Sequence, residues 1–158
     1  AVFEIETTRD IARQILRHRS FSFQEFSQRY ADVSLLPSAQ LRECRLQDTR
    51  NRQNSLTTDD QDKHDQWAQL QARVSDAALA AYQQALKMGV AKEQARAVLP
   101  EGLTPSRMYM SGTIRSWMHY CQLRTQPETQ KEHRVIAQSI SDELALQVPE
   151  VWSAMEQP

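Results

Sequence analysis

Glycine is scarce in this sequence, with three residues in 158. A chain so poor in the one residue that enters left-handed backbone freely is not built from many tight turns. Its wealth of Ala, Gln, Glu and Arg favours helices instead. Cysteine is scarcer still: Cys44 and Cys121 are the only two. Neither belongs to a CxxC pair, so no zinc site and no other metal site is expected. Two unpatterned thiols fit a reducing cytoplasm. A basic excess is missing too, because the formal net charge is −1. That argues against a general nucleic-acid binder and leaves room for a local cationic pocket for a small anion. No apolar run is long enough to span a bilayer as a helix, so no membrane partner is expected.

What remains is an ordinary globular balance, 40% apolar and 25% charged, which suits one domain with one core over residues 1–158. The sequence opens directly in Val2-Phe3-Glu4-Ile5-Glu6 with no start signal. We expect a strand there and further residues before it. Thr7 or Thr8 can cap a helix running to about Arg17, with Ile11, Ile15 and Leu16 turned to the core. Residues 20–30, rich in Phe, Ser and Tyr, read as extended. Residues 34–61 are polar and read as a long loop with a short helix around 38–46. Within them the Arg42 to Arg52 stretch is a mixed-charge face or loop, to which we assign no site role.

From 62 to 88 the pattern is helical. Trp67, Leu70, Val74, Ala77, Ala78, Ala81 and Ala85 recur at three- and four-residue steps, and Gly89 stops the helix. A short helix over 91–99 is ended by Pro100. Residues 108–112 read as a strand. Residues 114–123 form a helix with Ile114, Trp117, Met118 and Cys121 on one stripe, and 128–148 another with Val135, Ile136, Ile140 and Leu144 inward. Trp67, Trp117 and the methionines read as core, and His64 and His133 as solvent-facing. The fold class is α+β, a helix-rich domain around a small, mostly antiparallel sheet.

The densest chemistry lies in Arg17-His18-Arg19-Ser20-Phe21-Ser22-Phe23-Gln24-Glu25-Phe26-Ser27-Gln28-Arg29. Guanidinium groups match phosphate oxygens in a two-pronged geometry. If residues 25–29 are extended, Glu25, Ser27 and Arg29 share one strand face, offering an acceptor, a hydroxyl and a phosphate clamp. Upstream, Gln14 and Arg17 are three apart on one helix face. A bare Arg-His-Arg triplet is most often a solvated cluster at a helix end; the regular spacing after it shifts the balance.

This segment resembles the defining motif of the flavin-dependent thymidylate synthases, RHRxxSxNExSxR, with Gln24 in place of the usual Asn. Ala95-Arg96-Ala97-Val98-Leu99-Pro100 resembles the family's ARxxLP segment. Gly112-Thr113-Ile114-Arg115-Ser116-Trp117 through Gln122-Leu123-Arg124 resembles its next helix. The likeness covers essentially the whole chain, and what lies before Val2 in the family supplies part of the flavin site.

The resemblance implies FAD contacts for Arg17, His18, Arg19, Ser20 and Glu25. It implies a second FAD stretch in Thr113, Ile114, Arg115 and His119, donated by a neighbouring subunit; some relatives carry Asn where His119 stands. Arg115 and His119 are four apart, on a helix face away from Trp117 and Cys121. The resemblance places dUMP against Gln14, Ile15, Leu16, Arg17, Glu25, Phe26, Ser27, Gln28, Arg29, Arg96 and Arg124. Arg29 and Arg96 serve its phosphate. Arg124, the implied catalytic residue, sits against the uracil. Taken alone, Arg96 and Arg124 read only as cations at helix ends. Ser27 reads as a dUMP contact rather than a nucleophile, since no His lies beside it in sequence.

The implied activity is reductive methylation of dUMP to dTMP, with methylenetetrahydrofolate as one-carbon donor, FAD reduced by NADPH, and a homotetramer with shared sites. Two other readings compete. One is a non-catalytic nucleotide- or RNA-binding module using the corner at residues 17–29, which has no use for a flavin. The other is a helical interaction protein, which binds no small molecule.

Overall fold

The computed structural model describes residues 1–37 and 40–153. Its architecture is α+β, as expected. The order is β1 (Val2–Thr8), α1 (Arg9–Ile15), β2 (Ser22–Glu25), β3 (Arg45–Gln47), β4 (Ser55–Thr57), α2 (Gln61–Lys87), α3 (Lys92–Ala95), β5 (Pro105–Ser111), α4 (Ile114–Arg124), α5 (Lys131–Gln147) and α6 (Pro149–Ser153). The main sheet is antiparallel in the order β1-β5-β2, and β3-β4 is a separate hairpin.

Alternation along the strands sorts the sheet's two faces. Ser106, Met108 and Met110 of β5 are buried, and the register sets Ile5 opposite Met108 and both Phe3 and Phe23 opposite Met110. The other face carries Glu4, Glu6, Arg107, Tyr109 and Gln24. There the Tyr109 hydroxyl donates to Glu4 over 2.7 Å and Arg107 Nε donates to Glu6 over 3.0 Å. Gln24, the residue in place of the family's usual Asn, stands on this exposed face opposite Tyr109. Helices α1, α4 and α5 cover the inner face. Ile11, Ala12, Ile15, Trp117, Tyr120, Cys121, Ala137, Ile140 and Leu144 close the core with Trp152 of α6. Each large apolar side chain removed from water there contributes about 1.5–3 kcal/mol.

Helix α2 departs from its sequence reading. Its bounds fit, with Asp60 as N-cap accepting from the Lys63 N–H and Gly89 at φ +81° ending it. Its face does not. Trp67, Leu70 and Val74 are 39%, 47% and 50% exposed, while Gln71 and Tyr82 are the buried residues. Gln71 is inward because its amide closes both backbone bonds of Arg42, accepting from N–H and donating to C=O at 2.8 Å each. The periodicity is real, but most of that stripe is left uncovered by the described residues of this chain. Tyr82 joins Val33 and Ala95 in a second, smaller cluster.

Other expectations are corrected. α1 stops at Ile15 rather than Arg17, and the Thr8 hydroxyl donates to Asp10 over 2.6 Å instead of capping the backbone. The expected helix around 38–46 is not formed over its described part. Residues 40–44 are irregular and Arg45 begins β3, paired with β4; residues 38 and 39 lie outside the described residues. Arg42 bridges to Asp10 at 2.7 Å, and Arg45 pairs with Glu132 and Glu43, so this stretch straps the hairpin to α1 and α5. Val135 is 53% exposed and Met88 73% exposed, not core. His133 is not solvent-facing but fully buried.

Candidate active site

The Arg-His-Arg triplet occupies the turn between α1 and β2. Its backbone is held by bonds from His18 N–H to Ile15 C=O at 3.0 Å and from Phe21 N–H to His18 C=O at 3.3 Å. Phe21 anchors the turn on α4. Its ring lies 4.6 Å from Trp117 and 5.9 Å from Tyr120 between centroids. It also lies where a Cβ on Gly112 would stand, 2.5 Å from that position. Gly112 therefore permits the triplet to approach the start of α4, where Thr113 caps by accepting from the Ser116 N–H at 3.2 Å.

Arg17, Arg19 and Ser20 are exposed around this turn, and Arg115 and His119 are exposed on α4. Among the described residues none of these five side chains has a hydrogen bond or ion pair, so the cations are available to an external anion. Ile114 packs against the core cluster.

Beneath the turn, Arg124 Nε donates to His18 Nε2 over 2.9 Å. Burial first, then the Arg124 charge, lowers the His18 pKa to about 4. A neutral imidazole with a bare Nε2 is what that bond requires. Next to it, His133 Nε2 meets the Tyr120 hydroxyl at 3.0 Å and its Nδ1 meets Gln14 Oε1 at 3.4 Å. Burial, then Arg124 and His18, lower the His133 pKa to about 4 as well. Gln14, which ends α1 alongside Ile15, donates to Gln130 over 2.8 Å. The Ile15 side chain is fully buried in the core, and Leu16 packs on it.

The remaining expected residues form a second group. β2 ends at Glu25, and the chain then turns, with both Tyr30 and Ala31 N–H bonded to Ser27 C=O. Glu25, Ser27 and Arg29 therefore do not share a strand face as expected. Glu25 points inward instead, accepting from Ser106 Oγ at 2.7 Å with Arg9 3.7 Å away. Phe26 N–H bonds Arg107 C=O at 2.8 Å, and Gln28 is buried with its side-chain nitrogen unpaired. Arg29 and Arg96 converge on Glu93: Arg29 pairs with its carboxylate at 3.3 Å, and Arg96 Nε donates to its backbone oxygen at 3.2 Å. Ser22 and Glu25 mark opposite ends of β2, about 10 Å apart at strand rise. The Arg124 group lies toward the first end and the Arg29 group beyond the second. No described hydrogen bond or ion pair joins the two.

A cavity of about 590 Å³ lies elsewhere, between Thr8, Ser106, Arg42, Lys131 and Val135. None of the expected site residues lines it.

Over residues 1–150 the sequence matches the family model described as thymidylate synthase complementing protein. The chain belongs to this family. Among curated relatives, it is 46% identical to the probable flavin-dependent thymidylate synthase of Paramecium bursaria Chlorella virus 1 and 48% identical to the flavin-dependent thymidylate synthase of Synechocystis. Each alignment covers 97% of this chain and 69% of the relative. The fold matches the crystal structure of the UMP/dUMP methylase PolB from Streptomyces cacaoi bound with 5-Br dUMP, with a TM-score of 0.83 at 28% identity. That match covers 97% of this chain and 69% of PolB.

Phe21, Tyr120 and Gln130 carry no site role in the sequence, and His133 reads there as solvent-facing, yet all four pack or hydrogen-bond around the site. A signal for His133 existed. It stands four before Ala137, Ala137 stands three before Ile140, and Ile140 four before Leu144, all on the buried stripe of α5. Its polar neighbours masked that spacing.

Proposed function

We propose that the protein is a flavin-dependent thymidylate synthase that reductively methylates dUMP to dTMP. Methylenetetrahydrofolate is the one-carbon donor and NADPH the source of electrons for bound FAD. The observation that carries the reading is the Arg124–His18 bond, which holds a charged guanidinium beside the exposed cations of the Arg-His-Arg turn.

The residues fit a flavin dinucleotide. Arg17 and Arg19, with His18 and Ser20 beside them, and Arg115, with Thr113, Ile114 and His119 on the stretch expected from a neighbouring subunit, offer exposed cations with no described partner, suited to a pyrophosphate. Glu25 belongs to the other group and reaches a flavin only across a subunit boundary. Bound FAD supplies the hydride that reduces the transferred carbon to a methyl group.

The chain's own residues bind and polarise. Arg29 and Arg96 hold the dUMP phosphate, released from Glu93 as the dianion displaces that weaker, exposed contact. Ser27 and Gln14 add hydrogen bonds. His18 takes only Nε of Arg124, so its terminal guanidinium nitrogens, without a partner among the described residues, are left for the uracil. A fixed cation there lowers the energy of negative charge developing on the ring.

The division of the expected residues into two groups at opposite ends of β2 favours sites assembled from two chains of a homotetramer. The exposed Trp67, Leu70 and Val74 face of α2 supports assembly. The two cysteines, both free thiols, accord with a cytoplasmic location.

Titration of the purified protein with FAD, followed by fluorescence quenching with and without dUMP, tests the reading. Saturable binding that dUMP perturbs, followed by NADPH-dependent dTMP formation, is expected. A protein that includes any residues preceding Ala1 and still binds no flavin would sink it.

A further inference from the structure

The amide of Gln14 sits in a chain of hydrogen bonds with a direction. Arg45 pairs with Glu132, fixing a carboxylate that only accepts. Gln130 therefore turns its nitrogen to Glu132, at 2.9 Å, and its oxygen to Gln14. Gln14 must then turn its own nitrogen to Gln130, at 2.8 Å, and its oxygen to His133 Nδ1, at 3.4 Å. An oxygen facing Nδ1 requires the proton there, which leaves Nε2 bare. The Tyr120 hydroxyl, 3.0 Å away, donates to it. His133 is fully buried and Tyr120 is 1% exposed. With both rings closed to bulk solvent, each member has one arrangement that leaves no donor facing a donor.

We propose that Tyr120 and His133 are positioning residues that lock the Gln14 amide in one orientation, and thereby set the affinity of the site for its pyrimidine nucleotide. This rests on the dUMP reading of Gln14 given above. Neither side chain touches the nucleotide; both act through Gln14. Burial and the nearby Arg124 charge keep His133 neutral, which the chain of bonds requires. The second amide hydrogen and second lone pair of Gln14 leave it one donor and one acceptor in fixed places for the ligand.

Imidazole nitrogen-15 NMR of the protein reads the arrangement without reference to activity. His133 is expected as the Nδ1–H tautomer, in Tyr120→Phe as in the wild-type protein, and Gln14→Leu should shift it toward Nε2–H by removing the acceptor that holds the proton on Nδ1. An Nε2–H tautomer in the wild-type protein, or no change in Gln14→Leu, overturns the proposal even if dTMP is made. Kinetics read the consequence. His133→Leu should raise the KM for dUMP about tenfold, the worth of one lost hydrogen bond to Gln14, and Tyr120→Phe, which leaves that bond in place, by less, each with kcat within about twofold. His133→Asn, whose amide nitrogen overlays Nδ1, should restore KM. A purely structural role predicts loss of folded protein with unchanged KM in the surviving fraction, and a melting curve for each variant separates that outcome. Failure of the protein to turn over dUMP at all would count against the function, while the tautomer would still decide the positioning pair.

Discussion

Arg124 donates from Nε to His18 Nε2 over 2.9 Å, joining the last turn of α4 to the turn that follows α1. The bond spends one of five guanidinium donors and fixes the plane of the other four. Lysine offers a point charge at a different reach and no planar fork. Arg124→Lys is therefore expected to keep the fold and lower kcat for dTMP formation about 100-fold, the usual cost of losing one preorganised electrostatic donor. Steady-state kinetics with a melting curve check it. An unchanged kcat would remove Arg124 from the chemistry.

His18 and His133 both have pKa values lowered from 6.5 to about 4, chiefly by burial. The folded protein refuses protons at these rings that the unfolded chain accepts. Between pH 6.5 and about 4 the unfolded state binds more protons, so unfolding free energy rises with pH. The stabilisation is complete above pH 6.5 and is lost as the pH falls toward 4. The slope is at most about 1.4 kcal/mol per pH unit for fully buried His133, and smaller for the partly exposed His18. Urea unfolding across this range should show the slope. His133→Asn should flatten it by removing the steeper contributor.

Gly112 is small because Phe21 needs its place. A Cβ there meets the Phe21 ring at 2.5 Å. Gly112→Ala should push Phe21 off Trp117, cost about 1–3 kcal/mol of stability, and move the Arg-His-Arg turn away from α4. Weakened FAD binding should accompany the lower melting temperature. A double variant with Phe21→Leu, which shortens the opposing ring, should recover part of the stability.

The sequence exposed the fold's periodic parts. β1 and β5 alternate, and α4 carries Trp117 and Cys121 four apart, so their inward faces could be read directly. It exposed the candidate site through one long motif. What it hid follows from tertiary partners. Gln71 is buried because of the Arg42 backbone, a partner 29 residues away, and no local pattern marks that. Ser27 and Arg29 fall outside the strand because Ser, Phe and Gln tolerate both strand and turn, and the last bond to β5 is made by Phe26. Trp67, Leu70 and Val74 were correctly seen as an apolar stripe. A stripe names a face, however, and not what covers it.

Two groups of candidate residues at opposite ends of β2 make a prediction about assembly. Arg29 belongs to one group and Arg124 to the other, and no described bond links them. If each site draws the groups from different chains, Arg29→Ala and Arg124→Ala proteins should each be nearly inactive. Mixed by unfolding and refolding together, they should regain about a quarter of wild-type activity, because random association makes one site in four from two intact halves. Sites contained within one chain would regain nothing on mixing, since every chain carries one lesion. Leu70→Asp supplies the second arm. A charge on the exposed α2 face should lower the oligomeric state in sedimentation and abolish the recovery. If Leu70→Asp left both assembly and complementation intact, α2 would not be the face that brings the two groups together.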